Sequence, residues 1–118
     1  MISAGLLLLS GVQLGALGAH ALSDILTPQK QNSWELAVQY QLVHALGLIL
    51  ITLLMDKLVG SKLLGWAGGL MLVGIFLFSG SIYVSALGGP AFSSQIAPFG
   101  GGSFMVAWLL VAIAAWRH

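Results

Sequence analysis

The sequence predicts an all-α integral membrane protein: a four-helix bundle with its N and C termini on the cytoplasmic side. Three observations predict it. Four apolar segments fill nearly all of the 118 residues, and each reaches the length of about 20 residues that a helix needs to cross ~30 Å of hydrocarbon. Hydrophobic residues make up 58% of the chain and charged residues only 6%, whereas a soluble domain carries about a quarter charged residues. So few charges cannot cover a surface in water, but they suffice in lipid. The breaks between segments also carry turn chemistry, with Pro28, Gly88-Gly89-Pro90 and Pro98 at the joints. Residues 1–118 are expected to form one transmembrane domain, with no separate soluble unit.

The first span is expected over about 2–22. Its Ala19-His20-Ala21 has the form of a signal-peptidase site. It lacks a basic leader region, however, and Gln13 interrupts an apolar run longer than a usual signal core, so the segment is expected to remain as a span. Thr27 before Pro28 predicts a capped helix start with proline in the first turn. The membrane part of this second helix is expected over 34–55, with Trp34 at the interface and Glu35 near the positive end of the helix dipole. Asp56 to Lys62 reads as a tight polar turn. The third span is expected over 63–87 and is broken by Gly88-Gly89-Pro90. A small uncharged loop, Ala91 to Ala97, leads to Pro98 and a fourth span over 98–116, with Arg117 and His118 outside the bilayer. Lys57, Lys62 and Arg117 lie on the side of the termini and Lys30 lies on the other, which predicts cytoplasmic termini by the positive-inside rule.

Composition also excludes functions. A net charge of +1 supplies no basic patch for nucleic acid. The chain has no cysteine, so disulfides, thiolate metal sites and cysteine nucleophiles are absent.

The polar residues within the spans are expected to converge in the non-cytoplasmic half. At 100° per residue, Ala37, Tyr40, Gln41, His44 and Leu48 share one face of the second helix. His44 lies ten residues below Trp34, about 15 Å at 1.5 Å per residue. A histidine so deep cannot reach water and should face other helices. On the third helix Gly65, Gly69, Leu72, Phe76, Ser79 and Tyr83 project to one face. Gln13 and His20 share a face of the first helix, and Gly100-Gly101-Gly102-Ser103 opens the fourth. The predicted ligand-binding or polar network is therefore His20, Tyr40, Gln41, His44, Ser79 and Tyr83. Gly11, Gly15 and Gly18 line the opposite face of the first helix. With Gly65 and Gly69 they are expected to let helices pack closely.

Several strings occur together: Gly15-Ala16-Leu17-Gly18-Ala19-His20, Tyr40-Gln41-Leu42-Val43-His44-Ala45-Leu46, Phe78-Ser79-Gly80-Ser81-Ile82-Tyr83, Pro98-Phe99-Gly100-Gly101, and Trp108. In this order the chain resembles the small bacterial membrane proteins of the domain-of-unknown-function 423 family, whose eukaryotic relatives are called transmembrane protein 256. The resemblance covers nearly the whole chain. It implies a four-helix integral membrane protein of the bacterial plasma membrane and carries no activity with it.

Five readings of the polar residues follow. They can bond one another and fix helix register. They can line a pocket for a lipid-like or quinone-like amphiphile, with imidazole and phenol on its polar head. His20 and His44 can ligate haem or a metal or transfer protons, a redox or catalytic alternative. Ser79 or Ser81 with His44 can form a hydrolytic pair, although no carboxylate is placed to orient the histidine. The spans can carry a proton or solute, for which four helices are few. The expected role is non-enzymatic, as an amphiphile-binding or accessory membrane subunit. No cofactor is predicted, haem and quinone being the two considered. The expected partners are membrane lipids and a homo-oligomer or larger membrane complex.

Overall fold

The computed structural model describes residues 2–90, 93 and 95–117. Four helices in it are long and apolar enough to cross a membrane. They are α1 (Ile2–Ala19), α2 (Pro28–Lys57), α3 (Lys62–Ala86) and α4 (Ala97–Trp116). No strand occurs among the described residues. Ala91, Phe92 and Ser94 of the expected loop lie outside the described residues, as do Met1 and His118.

The helix boundaries follow from local chemistry. Thr27 caps α2 by accepting the Lys30 N–H at 3.2 Å, and Pro28 occupies the first turn. α2 ends at Lys57, and the chain reverses through Gly60 at φ +87°. Gly88 at φ +90° ends α3. Such left-handed backbone is costly for any residue with a Cβ.

α1 stops three residues short of its expected end. The reason is packing: Leu22 and Leu26 fold back to join Trp34, Val38 and Ala86 in a small apolar cluster that closes this end of the bundle. His20 is thereby moved out of the helix and into the exposed turn.

α3 is not one regular helix. An α-helical stretch, Lys62–Gly74, passes through a π-helical turn, Ile75–Gly80, into a second α-helical stretch, Ser81–Ala86. A π turn takes one residue more than an α turn. The buried positions run Leu64, Ala67, Met71 and Gly74, then Ile75 and Ser79 within the π turn. A straight 100° projection across this turn fails. Gly65, Gly69 and Phe76 face outward, while Ser79 faces α2.

The helices pack in chain order, α1 on α2, α2 on α3 and α3 on α4. The result is flattened, with Cα extents of 50 × 26 × 17 Å. Small residues set the close approaches. A Cβ at Gly11 would come 2.7 Å from Leu42, one at Gly15 3.2 Å from Val38, and one at Gly18 would overlap the Trp34 ring. The glycine face of α1 is thus the seam with α2, inside the chain. Gly74 and Gly100 play the same part between α3 and α4, against Phe104 and Phe78. The larger core holds Ala45, Leu48, Ile51, Leu64, Met71 and Phe104. Large apolar side chains such as Leu6, Val12, Leu53 and Trp66 cover the outside, as the surface of a lipid-embedded helix requires.

Candidate functional site

The structure divides the predicted polar cluster into two sets on different edges of α2. The first is a closed network. Gln41 donates through Nε2 to the Leu7 carbonyl at 2.8 Å and to Ser10 Oγ at 3.0 Å. Its Oε1 accepts from the Tyr83 hydroxyl at 2.7 Å. Ser79 Oγ donates to the Ala37 carbonyl at 2.7 Å. These bonds tie α1, α2 and α3 together and leave no N–H of the Gln41 amide free. The sequence reading missed several partners of this set. Trp34 Nε1 donates to the Leu14 carbonyl at 2.8 Å, and Gln31 Nε2 donates to the Gly18 carbonyl at 2.8 Å. Gln31 Oε1 is buried without a partner. Ser103 on α4 donates to the Leu70 carbonyl at 2.7 Å.

The second set is Tyr40 and His44, which face α4. The His44 ring is stacked on Phe104, with centroids 3.5 Å apart and planes at 13°. Its Nδ1 meets the Tyr40 carbonyl oxygen at 2.7 Å. Tyr40 stacks on Phe78 at 4.7 Å, and Trp108 lies 5.9 Å from the imidazole. α2 and α4 make few direct backbone approaches, and these long rings bridge the space between them. They leave a groove of about 910 Å³, lined by Tyr40, Val43, His44, Phe78, Gly101, Phe104, Met105 and Trp108 among others. Its outer rim is well exposed, with Val43 at 53% and Met105 at 72%, so within a bilayer the groove opens sideways to hydrocarbon. His44 itself is only 6% exposed.

Phe104 and Trp108 also escaped the sequence reading as site residues. They are one helical turn apart on α4, as Tyr40 and His44 are on α2. Two facing i,i+4 aromatic pairs were the available signal.

Four expected features take other positions. His20 belongs to neither set, because its turn is exposed beyond the end of α1. It lies near the level of Trp34, which packs on Gly18. His44 is ten residues further along α2, so about 15 Å separates the two histidines in depth. They cannot share an iron. Gln13, expected to share the polar face with His20, is also exposed. Gly65 and Gly69 are exposed, and a Cβ at either would meet nothing within 4 Å, so they set no close approach among the described residues; the π turn separates their face from that of Ser79 and Tyr83. The serines are likewise not paired with histidine. Ser79 bonds the Ala37 carbonyl, and Ser81 Oγ donates to the Phe78 carbonyl at 2.9 Å. Among the described residues no three His, Cys, Asp or Glu side chains gather as a metal site.

Comparison with known proteins agrees with this architecture. UPF0382 membrane protein YwdK of Bacillus subtilis is 39% identical over 110 residues, covering 93% of this chain and 89% of the relative. UPF0382 membrane protein SH2409 of Staphylococcus haemolyticus is 37% identical over 117 residues, covering 99% and 94%. UPF0382 inner membrane protein YgdD of Escherichia coli is 32% identical over 106 residues, covering 90% and 80%. No solved structure matches. The family described as "Protein of unknown function (DUF423)" matches residues 14–101, a stretch that contains Gly15 and Gly18 of the α1–α2 seam, Gln41, Ser79 and Tyr83 of the closed network and the groove as far as Gly101, and the chain belongs to this family of membrane proteins.

Proposed function

We propose that the protein is a multi-pass plasma-membrane protein, with both termini cytoplasmic, that holds a membrane amphiphile in the groove between α2 and α4. The amphiphile's polar head rests against Tyr40 and His44, and its tail lies along Phe104, Met105 and Trp108. The chain does no covalent chemistry in this reading, and its partner is a lipid. One observation carries it. His44 is buried at mid-span in the wall of an apolar groove of about 910 Å³, while the buried Gln41 and Ser79 bond groups inside the bundle. A deep imidazole is costly in hydrocarbon unless it has a partner or a function. A concave apolar site with one or two polar groups is the usual form of a small-molecule pocket.

The test uses Gly101, which lines the groove and meets nothing within 4 Å. A Cβ there has open space, so Gly101→Leu directs its side chain into the groove. Native mass spectrometry of protein extracted with its lipids should show a retained small-molecule mass on the wild type and loss of that mass on Gly101→Leu. Equal retention by both proteins, or none by the wild type, defeats the reading.

A further inference from the structure

We infer that the head group bound at His44 is a hydroxyl that donates its proton to Nε2, and not a carbonyl oxygen. The inference rests on the groove reading above and names the ligand class for that site.

A backbone carbonyl can only accept a hydrogen bond. The 2.7 Å contact between His44 Nδ1 and the Tyr40 carbonyl therefore places a ring proton on Nδ1. A neutral imidazole then has a lone pair and no proton at Nε2. The neutral form is the one that hydrocarbon accepts without a counter-ion. The chain's carboxylates are Asp24, Glu35 and Asp56. The nearest along α2, Glu35, is nine residues away, about 14 Å. α4 brings Phe104 and Trp108 to the ring, and Phe78 of α3 lines the same groove; all three are uncharged.

Nε2 has no partner among the described residues. Among the described residues the one side-chain polar atom that is both sealed and unpartnered is Gln31 Oε1, so Nε2 keeps contact with the outside, and the space that His44 lines is the groove. Turning the ring over would put a C–H against the Tyr40 carbonyl, and the Phe104 stack holds the ring plane. The site thus presents a fixed acceptor in a low-dielectric wall. A quinone, ester or ketone oxygen would set lone pair against lone pair. The O–H of a long-chain alcohol, a diacylglycerol or a hydroquinone completes the bond.

The experiment compares ligands that differ only in that proton. The full chain in lipid nanodiscs is titrated with geranylgeraniol and with its methyl ether, followed by native mass spectrometry. The alcohol is expected to bind at least about fivefold tighter, the factor for one net hydrogen bond of about 1 kcal/mol. A decyl-benzoquinol should exceed its quinone by a similar factor. The tightest of geranylgeraniol, dioleoylglycerol and the quinol identifies the source of the hydroxyl. His44→Phe keeps a ring over Phe104 and should bind alcohol and ether equally. Nitrogen-15 spectra of His44 should show a shift at Nε2 with the alcohol and not with the ether; this readout needs no variant. Equal binding of alcohol and ether to the wild type, or a preference for the quinone, overturns the hydroxyl assignment and leaves the groove standing. Failure of every ligand to bind, together with unchanged native lipid retention in Gly101→Leu, overturns both.

Discussion

The imidazole of His44 lies nearly face to face on the ring of Phe104, 3.5 Å between centroids and 13° between planes. This contact joins α2 to α4 at a level where their backbones stay apart. Phe104 also fills the space over Gly74 of α3, where a Cβ would come 2.5 Å from its ring. One side chain therefore closes the inner wall of the groove and seals the α3–α4 contact.

Phe104→Ala should therefore cost about 3–5 kcal/mol, the range for deleting a buried aromatic ring. Reversible unfolding in mixed detergent micelles measures it. The same substitution frees the imidazole, so the His44 ring resonances should broaden in the variant.

Tyr83→Phe tests the closed network separately from the groove. It removes the donor to Gln41 Oε1 and leaves the ring contact with Trp34, 4.7 Å between centroids. Interhelical hydrogen bonds in membranes average about 0.6 kcal/mol with a maximum near ~1.7. The expected loss is of that size, with lipid retention unchanged. A loss of bound lipid in Tyr83→Phe would show that the two sets are not independent.

The glycines should separate into two classes under substitution by alanine. Gly18→Ala forces the methyl group into the Trp34 ring, and overpacking of this kind costs about 1–3 kcal/mol. Gly65→Ala and Gly69→Ala meet open space and should be neutral or stabilising by up to about 1 kcal/mol, the helix propensity gained over glycine. Thermal unfolding of the three variants in one detergent gives the comparison. Destabilisation at Gly65 or Gly69 would point to a contact outside the single chain.

The proposed orientation is open to direct labelling, since the chain has no native cysteine. Ser23→Cys, in the α1–α2 turn, should react with a membrane-impermeant maleimide on intact cells. Lys57→Cys, at the end of α2, should react only after permeabilisation. The reverse pattern would invert the assignment of the termini.

The spans were legible in the sequence because hydrocarbon thickness dictates apolar length, and Thr27, Pro28, Gly60 and Gly88 mark joints that backbone sterics require. The burial of His44 against other helices was legible for the same reason, from its position ten residues into the apolar run after Trp34. The division of the polar residues was not. It depends on the π turn at Ile75–Gly80, which shifts the face of α3 by one residue and leaves no trace in hydrophobic periodicity. The position of His20 was hidden because α1 ends where Leu22 and Leu26 turn to cover Trp34, a tertiary event. Tyr40 and Gln41 are adjacent in sequence and looked like members of one cluster. Their 100° separation sends one to α4 and the other to α1 and α3.

The rim at Val43 and Met105 has a thermodynamic consequence. In the proposed reading, a molecule entering there arrives by lateral diffusion within the leaflet and never crosses water. Its occupancy follows its mole fraction among the surrounding lipids, and diluting the bilayer with inert phospholipid empties the cleft even when the amount of protein and ligand per volume of buffer stays constant.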